Sequence, residues 1–390
     1  MTASINDSEQ IMIVTGEASG DLHGANLVRS MLAGQPDLNI FGMGGNELKA
    51  AGVELLYDAA KLSVVGITEV FSHLGDILAA RRILIKQMRK RRPSLLILID
   101  FPDFNLMLAK KARKCGIPVF YYISPQVWAW RQGRTKKIGR LADRIAVILP
   151  FEKDFYRNHD IDVDFVGHPL MDTVATTMDS HEFRKSLAIE PGKTVVGLLP
   201  GSRRREITSL LPVFLAAAQY LSNSTDNTYV FVVPKASTVS TQLLEENGIN
   251  TYRNRLDIRI VDHDRYDLMA SCDAVVAASG TVTLELAILN VPTVATYRVS
   301  PRTYMLGRML VKLQWFSLVN LIADKTVIPE LLQDEVTPEN IARELSVILK
   351  DGKERDIMLH GFSEVRKKLG KPGASRRAAK IALSMVNRDD

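Results

Sequence analysis

The sequence predicts an α/β protein built from two parallel-sheet domains. Short apolar runs alternate with stretches of helical spacing, the runs are unbroken rather than alternating, and the whole series restarts after residue 190. Parallel strands covered by helices on both faces read as continuous Val/Ile/Leu runs, and their alternation with helices sets the class.

The elements follow in order. A strand over 11–15 leads into a glycine-rich turn and a helix over about 21–33. The apolar run 95–99 begins after Pro93 and stops at Asp100; 119–123 and 145–149 have the same character. A polar stretch over 171–193, with one short helix after Ser180, marks a boundary near 170–192. The second series holds strands at 194–199, 229–233, 258–261, 274–277 and 293–296. The tail over 374–386 has helical spacing. The expected domains are 1–175 and 190–365, followed by a C-terminal segment, 366–390. Two such domains facing each other make a cleft, the usual place for a ligand.

Composition removes several classes. With 46% apolar and 24% charged residues in 390, global disorder is excluded. Two cysteines, Cys115 and Cys272, make neither a disulfide framework nor a cysteine-based zinc site, so a reducing compartment is expected. The apolar run after the polar first ten residues is too short for a signal-peptide core, and no run approaches the ~18 residues of a membrane span. A peripheral place on a membrane stays open. Residues 81–144 hold 17 Lys and Arg against three acids, a local +14 within a chain of net +6. Such a patch attracts nucleic acid, anionic lipid or a phosphorylated substrate.

Three stretches in the first half bear chemistry. In Thr15-Gly16-Glu17-Ala18-Ser19-Gly20-Asp21, glycines between a strand and a helix let a ligand approach the backbone, and a helix start favours anions. The spacing is neither a dinucleotide fingerprint nor a Walker loop, and a plain tight turn with Asp21 as helix cap explains it equally. Asp100 ends a buried strand in Asp100-Phe101-Pro102-Asp103-Phe104-Asn105, where ligands bind in open α/β sheets. A desolvated carboxylate there suits a general base, with Asp103 as its orienter or as an N-cap, and two aspartates that only close a turn around Pro102 would read the same. Ser124-Pro125-Gln126-Val127-Trp128-Ala129-Trp130-Arg131 sets two tryptophans beside cations, fit for a sugar or phosphate or for the core. His168, before Pro169, reads as structural more readily than catalytic. The Asp162/Asp164 and Asp262/Asp264 pairs lack companions for a metal site, and none is expected.

The second half offers two anion cradles. Pro200-Gly201-Ser202-Arg203-Arg204-Arg205 follows a strand and opens a helix, a candidate diphosphate site. Ser279-Gly280-Thr281 repeats the arrangement, with Glu285 one turn on, placed to accept two ribose hydroxyls or to join Thr281 in a cap one residue beyond the ideal box spacing. Together they describe a nucleoside-diphosphate pocket.

Two stretches suit lipid. In 62–78, Val64, Val65, Ile67, Val70, Phe71 and Leu74 precede a basic run; in 302–316, Met305 and Met309 share an apolar face edged by Arg302, Arg308 and Lys312. Apolar faces edged by cations suit an interfacial protein, and core-facing helices look the same.

These motifs, with Leu149-Pro150-Phe151-Glu152, Gly167-His168-Pro169 and Ser317-Leu318-Val319-Asn320-Leu321, resemble the lipid-A-disaccharide synthase family in order over about residues 10–345; Phe101 departs from the alanine expected there. The resemblance implies a GT-B fold of two Rossmann-like domains, with the C-terminal helix crossing back onto the first. It implies a UDP-2,3-diacylglucosamine donor, a 2,3-diacylglucosamine 1-phosphate (lipid X) acceptor, a β-1′,6-linked disaccharide phosphate and UDP as products, and inversion without metal or cofactor. Asp100 is the expected base, with Glu17 and Asp103 beside it in the catalytic set. Ser202, Arg203, Ser279, Gly280, Thr281, Glu285 and Asn320 would bind UDP, and Gly16, Ser19, Gly20, Trp128, Arg131 and His168 are acceptor or phosphate candidates. The enzyme would sit in the cytoplasm against the anionic inner face of the inner membrane, without nucleic acid. The rivals are a UDP-sugar 2-epimerase or soluble-acceptor transferase of the same fold, and a basic nucleic-acid binder, for which no RRM-type signature is present.

Overall fold

The computed structural model describes residues 9–61, 74–129, 132–224, 227–236, 238–299, 304 and 314–387. The chain forms two compact units. The first combines Met1–Asp172 with Leu369–Asp390, and the second is Thr173–Lys368.

The first unit is built on seven parallel strands: β1 (Gln10–Val14), β2 (Asn39–Gly44), β3 (Glu54–Asp58), β4 (Leu95–Ile99), β5 (Val119–Tyr122), β6 (Arg144–Val147) and β7 (Asp164–Phe165). Their order is β3-β2-β1-β4-β5-β6-β7. The order reverses between β1 and β4, so the loops leaving these two strands flank a topological switch point, where α/β sheets bind ligands. Every residue of β4 is buried, as its unbroken Leu-Leu-Ile-Leu-Ile run predicts. One core lies on each face of the sheet. On one, Met12, Leu96, Leu98 and Tyr121 meet the helices Leu74–Arg91 and Pro102–Lys114. On the other, Ile11, Ile13, Ile97 and Tyr122 meet the helix Ala18–Gly34 and the last helix, Ala374–Val386, through Ala378, Ala379, Ala382 and Met385.

The second unit repeats the plan with β8 (Thr194–Leu199), β9 (Tyr229–Pro234), β10 (Ile258–Val261), β11 (Ala274–Ala278), β12 (Thr293–Tyr297) and β13 (Glu330–Leu332) in the order β10-β9-β8-β11-β12-β13. Its reversal lies between β8 and β11, and both strands lead into the two candidate anion cradles. The short helix Ser180–Ser186, capped by Asp179, belongs to this unit.

Candidate active site

At the switch point of the first unit, β1 ends in Thr15-Gly16-Glu17 and β4 in Asp100-Phe101. Asp100 and Phe101 both take left-handed backbone conformations, with φ of 44° and 47°. For non-glycine residues this costs about 1–3 kcal/mol each and persists only where the surroundings enforce it. The Phe101 ring lies directly over Gly16, where any Cβ would strike it, so the glycine is required by close packing between the two loops. Asp100 is half-buried. Desolvation, reinforced by the nearby Glu17 charge, pushes its carboxyl up to about 6. The structure therefore brings Glu17 and Asp100 together and gives Asp100 a proton affinity suited to a base near neutrality.

Asp103 stands apart from them. It lies in the first turn of Pro102–Lys114, mostly exposed, and pairs with Arg134 at 2.6 Å. It is not the N-cap of that helix, which is Phe101. Asp21 is also reassigned. It does not cap its own helix; its carboxylate accepts the N–H groups of Gly45 (2.7 Å), Glu47 (2.9 Å) and Leu48 (3.3 Å), capping the helix Asn46–Ala50. Ser19 is exposed at the helix start and Gly20 is packed against Thr15.

Two acceptor candidates prove internal. Trp128 is buried, edge-on to Phe151 at 4.8 Å, and its indole N–H donates to Glu152 at 3.2 Å. Among the described residues that ring is enclosed, which suits packing better than a sugar. His168 is 3% exposed, and its Nδ1 accepts from the Leu170 N–H; burial and the nearby His23 push it down to about 3. A neutral, sealed imidazole does not hold a phosphate. Arg131, Val64, Val65, Ile67, Val70, Phe71, Met305 and Met309 lie outside the described residues, and Leu74 is placed only by its backbone, at the start of Leu74–Arg91.

The two cradles of the second unit differ. The N–H groups of Ser202 and Arg203 are not free, since both donate to Glu206 at 3.0 and 3.1 Å, and Glu206 also pairs with the Arg203 guanidinium. Glu206 thus supplies one half of a capping box, accepting the N-cap N–H, and the reciprocal half is missing because arginine has no acceptor. Arg203 keeps its side chain 79% exposed. At Ser279-Gly280-Thr281 no side chain caps the helix Thr281–Ile288, Thr281 is exposed, and a Cβ on Gly280 would meet nothing within 4 Å. This start is the open one. The Ser279 hydroxyl donates to the Phe316 carbonyl at 3.4 Å.

Glu285 is 5% exposed, raised by burial and paired with Arg265, whose guanidinium also lies 4.8 Å over the Tyr266 ring. Arg265 carried no motif in the sequence. Asn320 is withdrawn as a nucleotide ligand. It is fully buried, its amide donates to Ile328 and Glu330, and its carbonyl accepts from Val327 and Ile328, which exhausts the side chain. It organises the loop before β13. Among the described residues no cluster of His, Cys, Asp and Glu is arranged to hold a metal ion.

Two doubly wound units, each with polar groups gathered at its switch point, define the GT-B class of fold. Solved structures of that class share the fold: a putative UDP-N-acetylglucosamine 2-epimerase from Listeria monocytogenes (TM-score 0.64, 13% identity, 98% of each chain) and a calicheamicin glycosyltransferase (TM-score 0.64, 15% identity, 98% of this chain and 99% of that one). The family model for lipid-A-disaccharide synthetase matches residues 11–385. The lipid-A-disaccharide synthase of Syntrophus aciditrophicus is 47% identical over 387 residues, covering 98% of this chain and all of that one. The chain belongs to the lipid-A-disaccharide synthetase family, and is thereby a glycosyltransferase of lipid A biosynthesis.

Proposed function

We propose that the protein transfers a 2,3-diacylglucosaminyl group from its UDP derivative to the 6-hydroxyl of 2,3-diacylglucosamine 1-phosphate, with inversion at the anomeric carbon. The observation that supports this best is Asp100, a half-buried carboxylate beside Glu17 at the end of β4, where desolvation raises its proton affinity. In the proposed step Asp100 takes the proton of the acceptor hydroxyl. The freed oxygen forms the new glycosidic bond, and the bond from the anomeric carbon to the UDP oxygen breaks. The charge left on UDP meets the uncapped helix start at Gly280 and Thr281 and the exposed guanidinium of Arg203. Glu285 accepts the ribose hydroxyls by sharing or releasing Arg265.

The acceptor and product are lipids, and one surface suits their membrane. On the helix Leu74–Arg91, Leu78 (51% exposed) and Ile85 line a groove of about 690 Å³ with Arg81, Arg82, Lys86, Arg89, Lys90 and Lys111. Cations around apolar side chains suit an anionic bilayer surface, here the inner face of the inner membrane. No described helix is long and apolar enough to cross a membrane.

The test is transfer of labelled 2,3-diacylglucosamine 1-phosphate into a disaccharide phosphate, in detergent with EDTA. Product formation supports donor and acceptor together. UDP binding without product would turn the reading to an epimerase or to another acceptor.

A further inference from the structure

Asp100 sits in a backbone conformation that L residues avoid, and so does Phe101 after it. Two buried side chains converge on the same atom of that turn. The Tyr121 hydroxyl donates to the Asp100 carbonyl at 2.7 Å, and Asn105 Nδ2 donates to the same carbonyl at 2.7 Å and to the Ile99 carbonyl at 3.1 Å. From the other side the Asp100 N–H donates to the Ile123 carbonyl at 3.2 Å, extending the β4–β5 pairing past the strand end.

Asn105 adds a second clue. It is fully buried, and its Oδ1 has no hydrogen-bond partner. A buried amide that leaves its acceptor unmet costs stability, so this side chain is held there for its donors. Tyr121 is equally enclosed, with its ring in the core between β4, β5 and the helix Pro102–Lys114. Both side chains are closed off from solvent, and the atom they share is the Asp100 carbonyl.

We propose that Tyr121 and Asn105 are positioning residues of the transfer reaction, clamping the strained Asp100–Phe101 turn so that the Asp100 carboxylate stays in its half-buried place beside Glu17. The inference rests on Asp100 as the base. The clamp has a distinct consequence. Glu17 is the charged group that faces Asp100, and Tyr121 is the buried, neutral titratable group against its carbonyl. When the clamp is lost, the turn relaxes toward ordinary backbone angles, the carboxylate gains water, and its proton affinity drops toward the usual carboxylate range.

The experiment compares the full-length wild type with Tyr121→Phe, Asn105→Leu and Asp100→Asn, measuring kcat, both KM values and the pH profile of kcat. Tyr121→Phe keeps the ring in its core, and Asn105→Leu keeps the volume and removes the unmet Oδ1, so each serves if the other folds poorly. The expected result is a fall in kcat of about tenfold or more, since a sub-ångström displacement of a reacting group costs that much. Both KM values stay within about twofold, and the ascending limb of the pH profile shifts to lower pH. Unchanged kcat and an unmoved limb in both folded variants overturn the clamp. So does a fall in kcat with rising KM values and an unmoved limb, which marks general damage. Substantial turnover in Asp100→Asn overturns the base assignment instead, and the clamp with it.

Discussion

At Asp100 the chain keeps a carboxylate where burial and a second acid both disfavour its charge. The raised proton affinity has a sign for stability. The unfolded chain releases this proton at a lower pH than the folded one, so above about pH 4 the ionising group opposes folding, and fully so above pH 6. Asp100→Asn is expected to lose most turnover, retain UDP binding, and unfold later at pH 7.5, by on the order of 1–3 kcal/mol. Activity, calorimetric UDP titration and urea unfolding of one variant check all three. Arg203→Ala is expected to raise the donor KM about tenfold, the worth of one charge-assisted hydrogen bond, and to leave the acceptor KM alone. An unchanged donor KM would remove Arg203 from the diphosphate. The sequence made Asp100, Glu17 and the open start at Gly280 legible, because a polar residue at the end of an apolar run must emerge at the sheet edge. It left His168 and Trp128 open between a ligand and the core and gave Asn320 to the nucleotide on the resemblance alone, because such motifs look the same whether the side chain meets a ligand or another loop. Only packing separates those cases.

Three strands are legible to the residue, two of them almost wholly buried and the third, β10, half-buried. Residues 95–99, 194–199 and 258–261 match β4, β8 and β10 to the residue. β2 escaped because Gly42 and Gly44 interrupt its apolar run. Gly42 is required there, with φ of 157° and a Cβ that would overlap the Ile13 carbonyl. β3, half-buried at the sheet edge, and the two-residue β7 gave too little pattern to read. The Asp21 cap joins two elements 24 residues apart, which spacing rules confined to one helix do not reveal. Asp21→Ala is expected to cost about 2 kcal/mol, since three N–H groups lose their acceptor at once. Urea midpoints should run, from highest to lowest, wild type, Asp21→Asn, Asp21→Ala, because asparagine keeps one acceptor oxygen and alanine none.

At the scale of the molecule, acid should act through the first unit. His168 and His23 are buried and neutral, held down to about 3 and about 4 chiefly by desolvation. Both lie below the unfolded value of 6.5, so their contribution is whole above pH 6.5 and is lost as pH falls toward 4. Each adds a slope of up to about 1.4 kcal/mol per pH unit. His168→Gln should flatten the fall in unfolding midpoint between pH 6.5 and 4.5, and equal slopes would refute the assignment. The first unit is also discontinuous in sequence, since its last helix arrives after the whole of the second unit. That arrangement has a consequence for synthesis. When the ribosome has finished Asp172, the groove that will receive Ala378, Ala382 and Met385 is exposed. It stays so for the ~10–40 s that some two hundred further residues take. The nascent chain must be kept from aggregating through that interval, and a chain broken off before Ala374 has a complete second unit and a first one that cannot close its core.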